Sequence, residues 1–207
     1  MVHAALLVAV LAAPSGAVAA AAPSFETSVL DTRATISAAR TAGAKTLEGS
    51  LTARLNRLAL TSRQLQSDAA RLRRDAGGLR ARLDRRPKDG KSETDPALRP
   101  DILRLSNEFR QSARDFQWAL NDARDVHSAV KEKDPALCDA ATYFYNETLW
   151  LANETRWLDM DARNLGWNLR SAGYALEAWD IENSVRDILS RSTDLRNEAE
   201  LIVAAVR

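Results

Sequence analysis

The sequence predicts an all-α protein, an elongated antiparallel helical bundle or coiled coil of four to five long helices. One observation is that apolar residues recur in alternating steps of three and four over most of the chain, which is typical of helices that pack along their length. Another is that the best of these seams has a marked beginning and end. The composition, 45% hydrophobic and 28% charged, is that of a folded protein rather than a disordered one.

The clearest helix is predicted over 135–172. Asp134 is expected to cap its first N–H groups, Pro135 suits its first turn, and Gly173 is expected to end it. At ~1.5 Å per residue this helix would be about 57 Å long, which suits a bundle. Its seam consists of Leu137, Ala141, Phe144, Thr148, Leu151, Thr155, Leu158, Ala162, Leu165, Leu169 and Ala172.

A long helical stretch is predicted before it, over 24–86, with Ser24 as the N-cap and one expected break at Gly43. Its seam is narrow, as in a helix with one main partner. Leucine stands at every seventh position and defines the surface through which we expect a homo-oligomer to form. These leucines are Leu51, Leu58, Leu65, Leu72 and Leu79.

Two further helices complete the predicted bundle. Turn-forming and charged residues between Arg86 and Asp95 predict a loop, and a helix follows over 96–133. This helix and the helix over 135–172 form either a tight antiparallel hairpin or one sharply kinked rod, and we expect the hairpin. The last helix is predicted over 180–206, because its seam is two residues out of step with the preceding one and a turn after Gly173 explains the shift.

An internal repeat relates the helices over 96–133 and 135–172. Eleven residues are identical, without a gap, when the chain is shifted by 39 positions. The matches include the sequence Asp-Pro-Ala-Leu at residues 95–98 and 134–137, and the pair Trp118 and Trp157. The repeat predicts a duplicated helical unit.

The N-terminus has the features of a secretory leader. Ala4 to Ala13 is a short apolar run, Pro14 and Gly16 interrupt it, and small residues around Ala19 suit a signal peptidase. We therefore expect residues 1–19 to be a signal peptide, cleaved after Ala19 or Ala20, and 24–207 to be one helical-bundle domain. The run is too short to span a membrane, so we expect no transmembrane anchor after cleavage and a periplasmic or secreted, bacterial protein.

The most distinctive surface pattern is a tryptophan, an acid four residues on and an arginine six residues on. Residues four apart share a helix face, so each indole should lie beside a carboxylate. One interpretation is an aromatic and acidic groove for a cationic group. The other is a second packing layer, with the indoles against neighbouring helices and the acids paired to arginines of the first helix. The candidate binding residues are Trp118, Tyr143, Glu147, Trp150, Glu154, Trp157 and Asp161.

A strongly basic stretch precedes the loop. It would attract an anionic surface such as phospholipid or an envelope polymer, or it would face acidic segments of its own bundle. Nucleic acid is not expected as a partner, because the net charge is only +1 and the protein is predicted to be exported. The candidate arginines are Arg71, Arg73, Arg74, Arg80, Arg82, Arg85 and Arg86.

Groups for catalysis are scarce. His127 is the only histidine after the leader, Cys138 is the only cysteine, and no motif for a metal, a haem or a phosphate occurs around them. We therefore expect no enzyme activity and no cofactor.

Long seams, a leader and few reactive groups predict an exported, non-catalytic binding or scaffold protein of the cell envelope, which contacts a partner protein or an envelope component. The segment Leu60 to Gln64 resembles the Leu-Thr-x-x-Gln motif of a family of helical periplasmic chaperones. This resemblance implies the alternative of a chaperone-like protein. A sensor of small cationic ligands through the tryptophan and acid rows is the other alternative.

Overall fold

A computed structural model describes the backbone of residues 25–85, 95–130 and 133–207, and side chains from residue 51 onward within these ranges. The chain divides into two compact units, Met1–Ala44 and Lys45–Arg207. Of the first unit the structure describes a helical backbone from Phe25. The predicted leader and the predicted cap at Ser24 lie outside the described residues. All side-chain contacts below belong to the second unit.

The described residues form four long helices: α1 (Phe25–Asp84), α2 (Arg99–Ala129), α3 (Cys138–Ser171) and α4 (Ala175–Val206). A 3-10 turn, Pro135–Leu137, precedes α3. No strand occurs in this part of the chain, and the prediction of an all-α helical bundle is confirmed. The helix α1 continues through Gly43, where the sequence suggested a break.

Ion pairs show how α1 lies beside two other helices. Residue numbers rise along α1 as they fall along α2, so these helices are antiparallel. Numbers rise together along α1 and α3, so these helices are parallel. The pairs are Arg54–Asp122 (2.7 Å) and Arg71–Glu108 (2.8 Å) between α1 and α2, and Arg63–Glu147 (2.7 Å) and Arg73–Glu154 (3.1 Å) between α1 and α3.

The last helix, α4, packs against α3 and α2. It runs antiparallel to α3 and parallel to α2. Contacts with α3 are Arg170–Glu182 (2.7 Å) and Thr155–Ser192 (2.8 Å), and contacts with α2 are Arg110–Asp180 and His127–Glu198 (2.9 Å).

These contacts place α2 and α3 at opposite corners of the bundle, because α1 and α4 each lie between them. The two helices are antiparallel, as a hairpin requires, but they do not pack along each other as the sequence suggested. The interval between Ala129 and Pro135 is so short that it looked like a hairpin turn.

The predicted seams form the core. Phe109, Phe116 and Phe144 are fully buried, and so are the seam positions of α4. The leucines from Leu51 to Leu79 also lie in this core. They therefore do not form a surface for a second chain, because the folded monomer already covers them. Self-association stays a prediction and would need another surface.

Gly173 ends α3, as predicted, and makes the following turn shorter than predicted. Its φ of 87° is favourable only for glycine. The N–H of Tyr174 donates to the Leu169 carbonyl (2.8 Å) and that of Gly173 to the Arg170 carbonyl (3.1 Å), which is a Schellman ending. Tyr174 is buried, and its hydroxyl donates to the Asp95 carbonyl (2.5 Å). As a result α4 begins at Ala175 rather than near residue 180.

Candidate interaction surface

Arginines of α1 form ion pairs with the acid row of α3, which consists of Glu147, Glu154 and Asp161. Arg63 donates from Nη2 to Glu147 (2.7 Å), whose side chain is only 10% exposed. This hydrogen bond, followed by the charge of Glu147, raises the pKa of the Arg63 guanidinium above its ordinary value. The same guanidinium carbon lies 6.0 Å from the centre of the Tyr143 ring. Arg63 therefore contacts one candidate acid, Glu147, and one candidate aromatic residue, Tyr143.

Arg73 lies between the other two candidate acids. Its Nη1 is 3.1 Å from Glu154 and its Nε is 3.8 Å from Asp161. The contact with Glu154 lies outside hydrogen-bond geometry, so it is an ion pair only. The acids are thus paired to the first helix, as one interpretation of the sequence expected. A cationic ligand would have to compete with these arginines, and its binding stays a prediction.

The indoles are not buried against neighbouring helices. All five tryptophans of the chain, Trp118, Trp150, Trp157, Trp167 and Trp179, have between 50% and 72% of their surface exposed. Tryptophan is a highly buried residue on average, and its exposure marks interaction surfaces. The packing interpretation therefore holds for the acids and fails for the rings.

Three tryptophans lie on one continuous stripe along the outer side of α3. Its members alternate in steps of three and four, every one of them is exposed, and none is charged. We call this set the α3 stripe: Tyr143, Asn146, Trp150, Asn153, Trp157, Met160, Asn164, Trp167 and Ser171. The sequence analysis found Tyr143, Trp150 and Trp157 and missed the others. The signal that could have found them is a second three-and-four alternation outside the core seam.

The 39-residue repeat gives this stripe a counterpart on α2. Its members are also exposed, but three of the seven are charged. We call this set the α2 stripe: Arg104, Asn107, Gln111, Arg114, Trp118, Asn121 and Asp125. Trp118 therefore lies on a different helix from the other candidate binding residues, at the opposite corner, and the structure does not bring it together with them.

Most of the basic stretch pairs within the chain. Arg71 pairs with Glu108 (2.8 Å), Arg82 with Asp101 (2.5 Å), and Arg80 with Asp84 (3.8 Å). Within the described residues, Arg74 and Arg85 are exposed and form no ion pair, and Arg86 lies outside the described residues. Binding of an anionic surface stays a prediction, with fewer uncompensated charges than the sequence suggested.

A shallow groove of about 440 Å³ lies between α3 and α4 beside Trp167. Four of its five charged groups are paired, Arg163 with Asp159 (2.9 Å) and Arg170 with Glu182 (2.7 Å), and the fifth, Arg186, donates to Oδ1 of Asn183 (3.5 Å). These hydrogen bonds raise the pKa of both arginines above the ordinary value. The groove exposes Trp167 but offers few groups to a charged ligand.

The two reactive side chains have separate structural partners. The Cys138 thiol is half-buried and donates to the Val206 carbonyl (3.5 Å), while Nδ1 of His127 lies 2.9 Å from Glu198. Neither the described histidine nor the described cysteine belongs to a group of three or more side chains that could hold a metal ion.

Among the described helices, none combines the length and the apolarity that a membrane span requires. The main chemical feature of the described surface is the row of exposed aromatic side chains on α3. Comparison with protein-family models, with curated proteins and with solved structures found no match to this chain.

Proposed function

We propose that the chain is an exported, non-catalytic binding or scaffold protein of the cell envelope, which holds a partner protein through the α3 stripe. The observation that carries this proposal is the exposure of Trp150, Trp157 and Trp167 along one uncharged line. Aromatic residues and methionine are enriched in the cores of protein interfaces, where charged residues are depleted. Tryptophan and tyrosine, with arginine, are also enriched among the few residues that supply most of the binding energy in such interfaces.

The way α3 is held supports the same proposal. Its buried seam fixes one side, and Glu147, Glu154 and Asp161 join it to two arginines of α1. The rings therefore project from a helix that is fixed along its length. A rigid surface loses little conformational entropy on binding, so the contacts of its exposed rings contribute more of their energy to affinity.

The second candidate is a sensor of a cationic ligand on the same rings. It is favoured by the contact between Arg63 and Tyr143, which is a cation beside an aromatic ring. A ligand would have to take the place of Arg63 there, or use Trp150 and Trp157, whose rings are exposed. Unchanged indole fluorescence across a series of alkylammonium ions would exclude this candidate.

A photo-crosslinking residue placed at position 150 tests the proposed function. The matched control carries the same residue at Gln111, the counterpart on the α2 stripe. In cells that produce the full chain, we expect one discrete crosslinked protein from position 150 and none from position 111. Equal crosslinking from both positions, or none from either, would contradict the proposal.

The exported location has its own test. Amino-terminal sequencing of the chain recovered from the envelope or the medium is expected to begin after Ala19 or Ala20. A chain that retains Met1 and stays in the cytoplasm would exclude that part of the proposal.

A further inference from the structure

We infer that the partner of the α3 stripe is the α3 stripe of a second copy, in parallel orientation, which makes the protein a two-fold symmetric dimer. This inference rests on the proposed function of the α3 stripe and names its partner. It concerns a different surface from the leucine seam, which the monomer itself buries.

The spacing of the stripe fits a helix as its partner. Steps of three and four average 3.5 residues, whereas a straight α-helix has about 3.6 residues per turn. Such a line stays in contact with a neighbour only if the two coil around each other, and the buried seam of α3 packs its own bundle with the same spacing. From Tyr143 to Trp167 the α3 stripe has the repeat of a coiled-coil seam and no described helix covering it.

The asparagines indicate that the partner is the same helix. Asn146, Asn153 and Asn164 are the polar members between the rings. In a parallel dimer in register, each would face its own copy, and an amide can both donate to and accept from an identical amide. Buried asparagine pairs of this kind fix register and number of chains in coiled coils. An unrelated apolar helix would leave three amides without partners.

The charges beside the stripe favour the parallel orientation. Arg156 is exposed and forms no ion pair within the described residues, and Asp161 lies on the other side of the stripe, 40% exposed and 3.8 Å from Arg73. In a parallel coil, one flanking position lies near the opposite flank about five residues later on the partner helix. Arg156 would then face Asp161 of the second copy, and symmetry makes this contact twice. An antiparallel pair centred on the stripe would place Arg156 against Arg156.

The expected dimer is weak. The line from Tyr143 to Trp167 is about 36 Å long at ~1.5 Å per residue, and a helix is about 10 Å wide. A contact of this size is at the low end of specific interfaces, where complexes are transient. The dimer is therefore expected to dissociate in the micromolar range, and sedimentation should be measured across that range.

Sedimentation velocity of the full chain tests the dimer. We expect a reversible monomer and dimer equilibrium. Replacing stripe residues with their α2 counterparts, as Tyr143→Arg, Trp150→Gln, Asn153→Arg and Asn164→Asp together, is expected to raise the dissociation constant by at least about tenfold. Circular dichroism serves to check that this variant remains helical. The control Trp118→Gln removes an equally exposed indole from α2 and should leave the equilibrium unchanged.

Oxidative crosslinking tests the orientation. With Cys138→Ser as background, Asn146→Cys is expected to form a disulfide between copies, because position 146 faces itself in the parallel arrangement and lies about 27 Å from its copy along the axis in an antiparallel pair centred on the stripe. Asn121→Cys on the α2 stripe is the control and should not crosslink. A monomer at all concentrations, a multiple variant as dimeric as the wild type, or no disulfide at position 146 would overturn the inference. A monomer that still crosslinks to another protein through position 150 would overturn it and leave the proposed function intact.

Discussion

Helices α2 and α3 begin in the same way. Asp95 accepts a hydrogen bond through Oδ1 from the N–H of Ala97 (2.9 Å), and Asp134 accepts one from the N–H of Ala136 (2.9 Å). In both places the next leucine is buried and begins the core seam. The predicted repeat of 39 residues therefore has a structural counterpart at the start of each helix.

The two helices also present acids to α1 at matching positions. Glu108 on α2 and Glu147 on α3 both pair with arginines of α1, and so do Asp122 and Asp161. They do so although α2 is antiparallel to α1 and α3 is parallel to it. The face that holds each helix in the bundle is thus common to both copies.

The outward stripes are where the copies differ. The α2 stripe has three charged residues, as expected of a solvated helix face, and the α3 stripe has none. The comparison shows that the requirements of folding are met on the inner and flanking faces. The uncharged aromatic line on α3 needs another cause, and the proposed binding of a partner would supply one.

The largest expected difference between α2 and α3 is in the contribution of their core residues to stability. Phe116 on α2 is fully buried, and its counterpart 39 residues later is Thr155. Phe116→Ala should reduce the free energy of unfolding by about 3–5 kcal/mol, through lost burial and a cavity. Thr155→Val should cost about 1 kcal/mol, because it keeps the side-chain volume and removes the hydrogen bonds of the hydroxyl with Ser192 (2.8 Å) and with the Ala152 carbonyl (3.1 Å). Urea denaturation measures both, and equal costs would contradict the expectation.

The shared caps should be equivalent. Asp95→Ala and Asp134→Ala are each expected to destabilise the fold by about 1 kcal/mol, because each removes the acceptor for an N–H of the first turn. The two caps lie at opposite ends of the bundle, so the double variant should show the sum. The Asn variants retain an acceptor and serve as controls. A cost confined to one cap would show that the copies are not equivalent there.

The two equivalent acids, Glu108 and Glu147, should differ in how much they stabilise the fold, because they differ in exposure. The Glu147 side chain is 10% exposed and that of Glu108 is 24% exposed, so Glu147→Ala should destabilise more than Glu108→Ala. Both effects should be below about 1 kcal/mol and shrink at high salt, since their arginine partners are exposed. Because the pKa of Arg63 is raised, its charge and this contribution persist through mildly alkaline pH and are lost only above that raised pKa. A marked loss of the Glu147 effect between neutral and mildly alkaline pH would contradict this.

The smallest expected effect on stability is at the α3 stripe. Trp150→Gln introduces the residue of the α2 counterpart at an exposed position and should change the free energy of unfolding by less than about 0.5 kcal/mol. The same variant should weaken crosslinking from a probe at Tyr143. A loss of about 2 kcal/mol in thermal or urea unfolding would show instead that the indole packs within the monomer.

Local patterns in the sequence predicted the helices, the core and the helix ends, because burial along a helix follows the three-and-four spacing and because Asp134 and Gly173 act on their immediate neighbours. The order of helices around the bundle was not predictable in this way. It depends on contacts far apart in sequence, such as Arg63 with Glu147. The acid row was correctly expected to face arginines of the first helix. Whether the indoles faced a neighbour or solvent depended on the helix order, so Trp150 and Trp157 were left with two interpretations.

Arg73 contacts both Glu154 and Asp161, and four other arginines of α1 each pair with an acid on α2 or α3: Arg54, Arg63, Arg71 and Arg82. An alignment of related sequences should show these ion pairs as coupled substitutions. In related sequences, positions 63 and 147 are expected to change together, and so are 54 and 122, whereas the α3 stripe is free to follow the surface it binds. Positions that form ion pairs within the bundle should therefore change in pairs. Positions of the α3 stripe that are kept together in relatives would show that this surface has been under selection, and positions that vary independently would show that it has not.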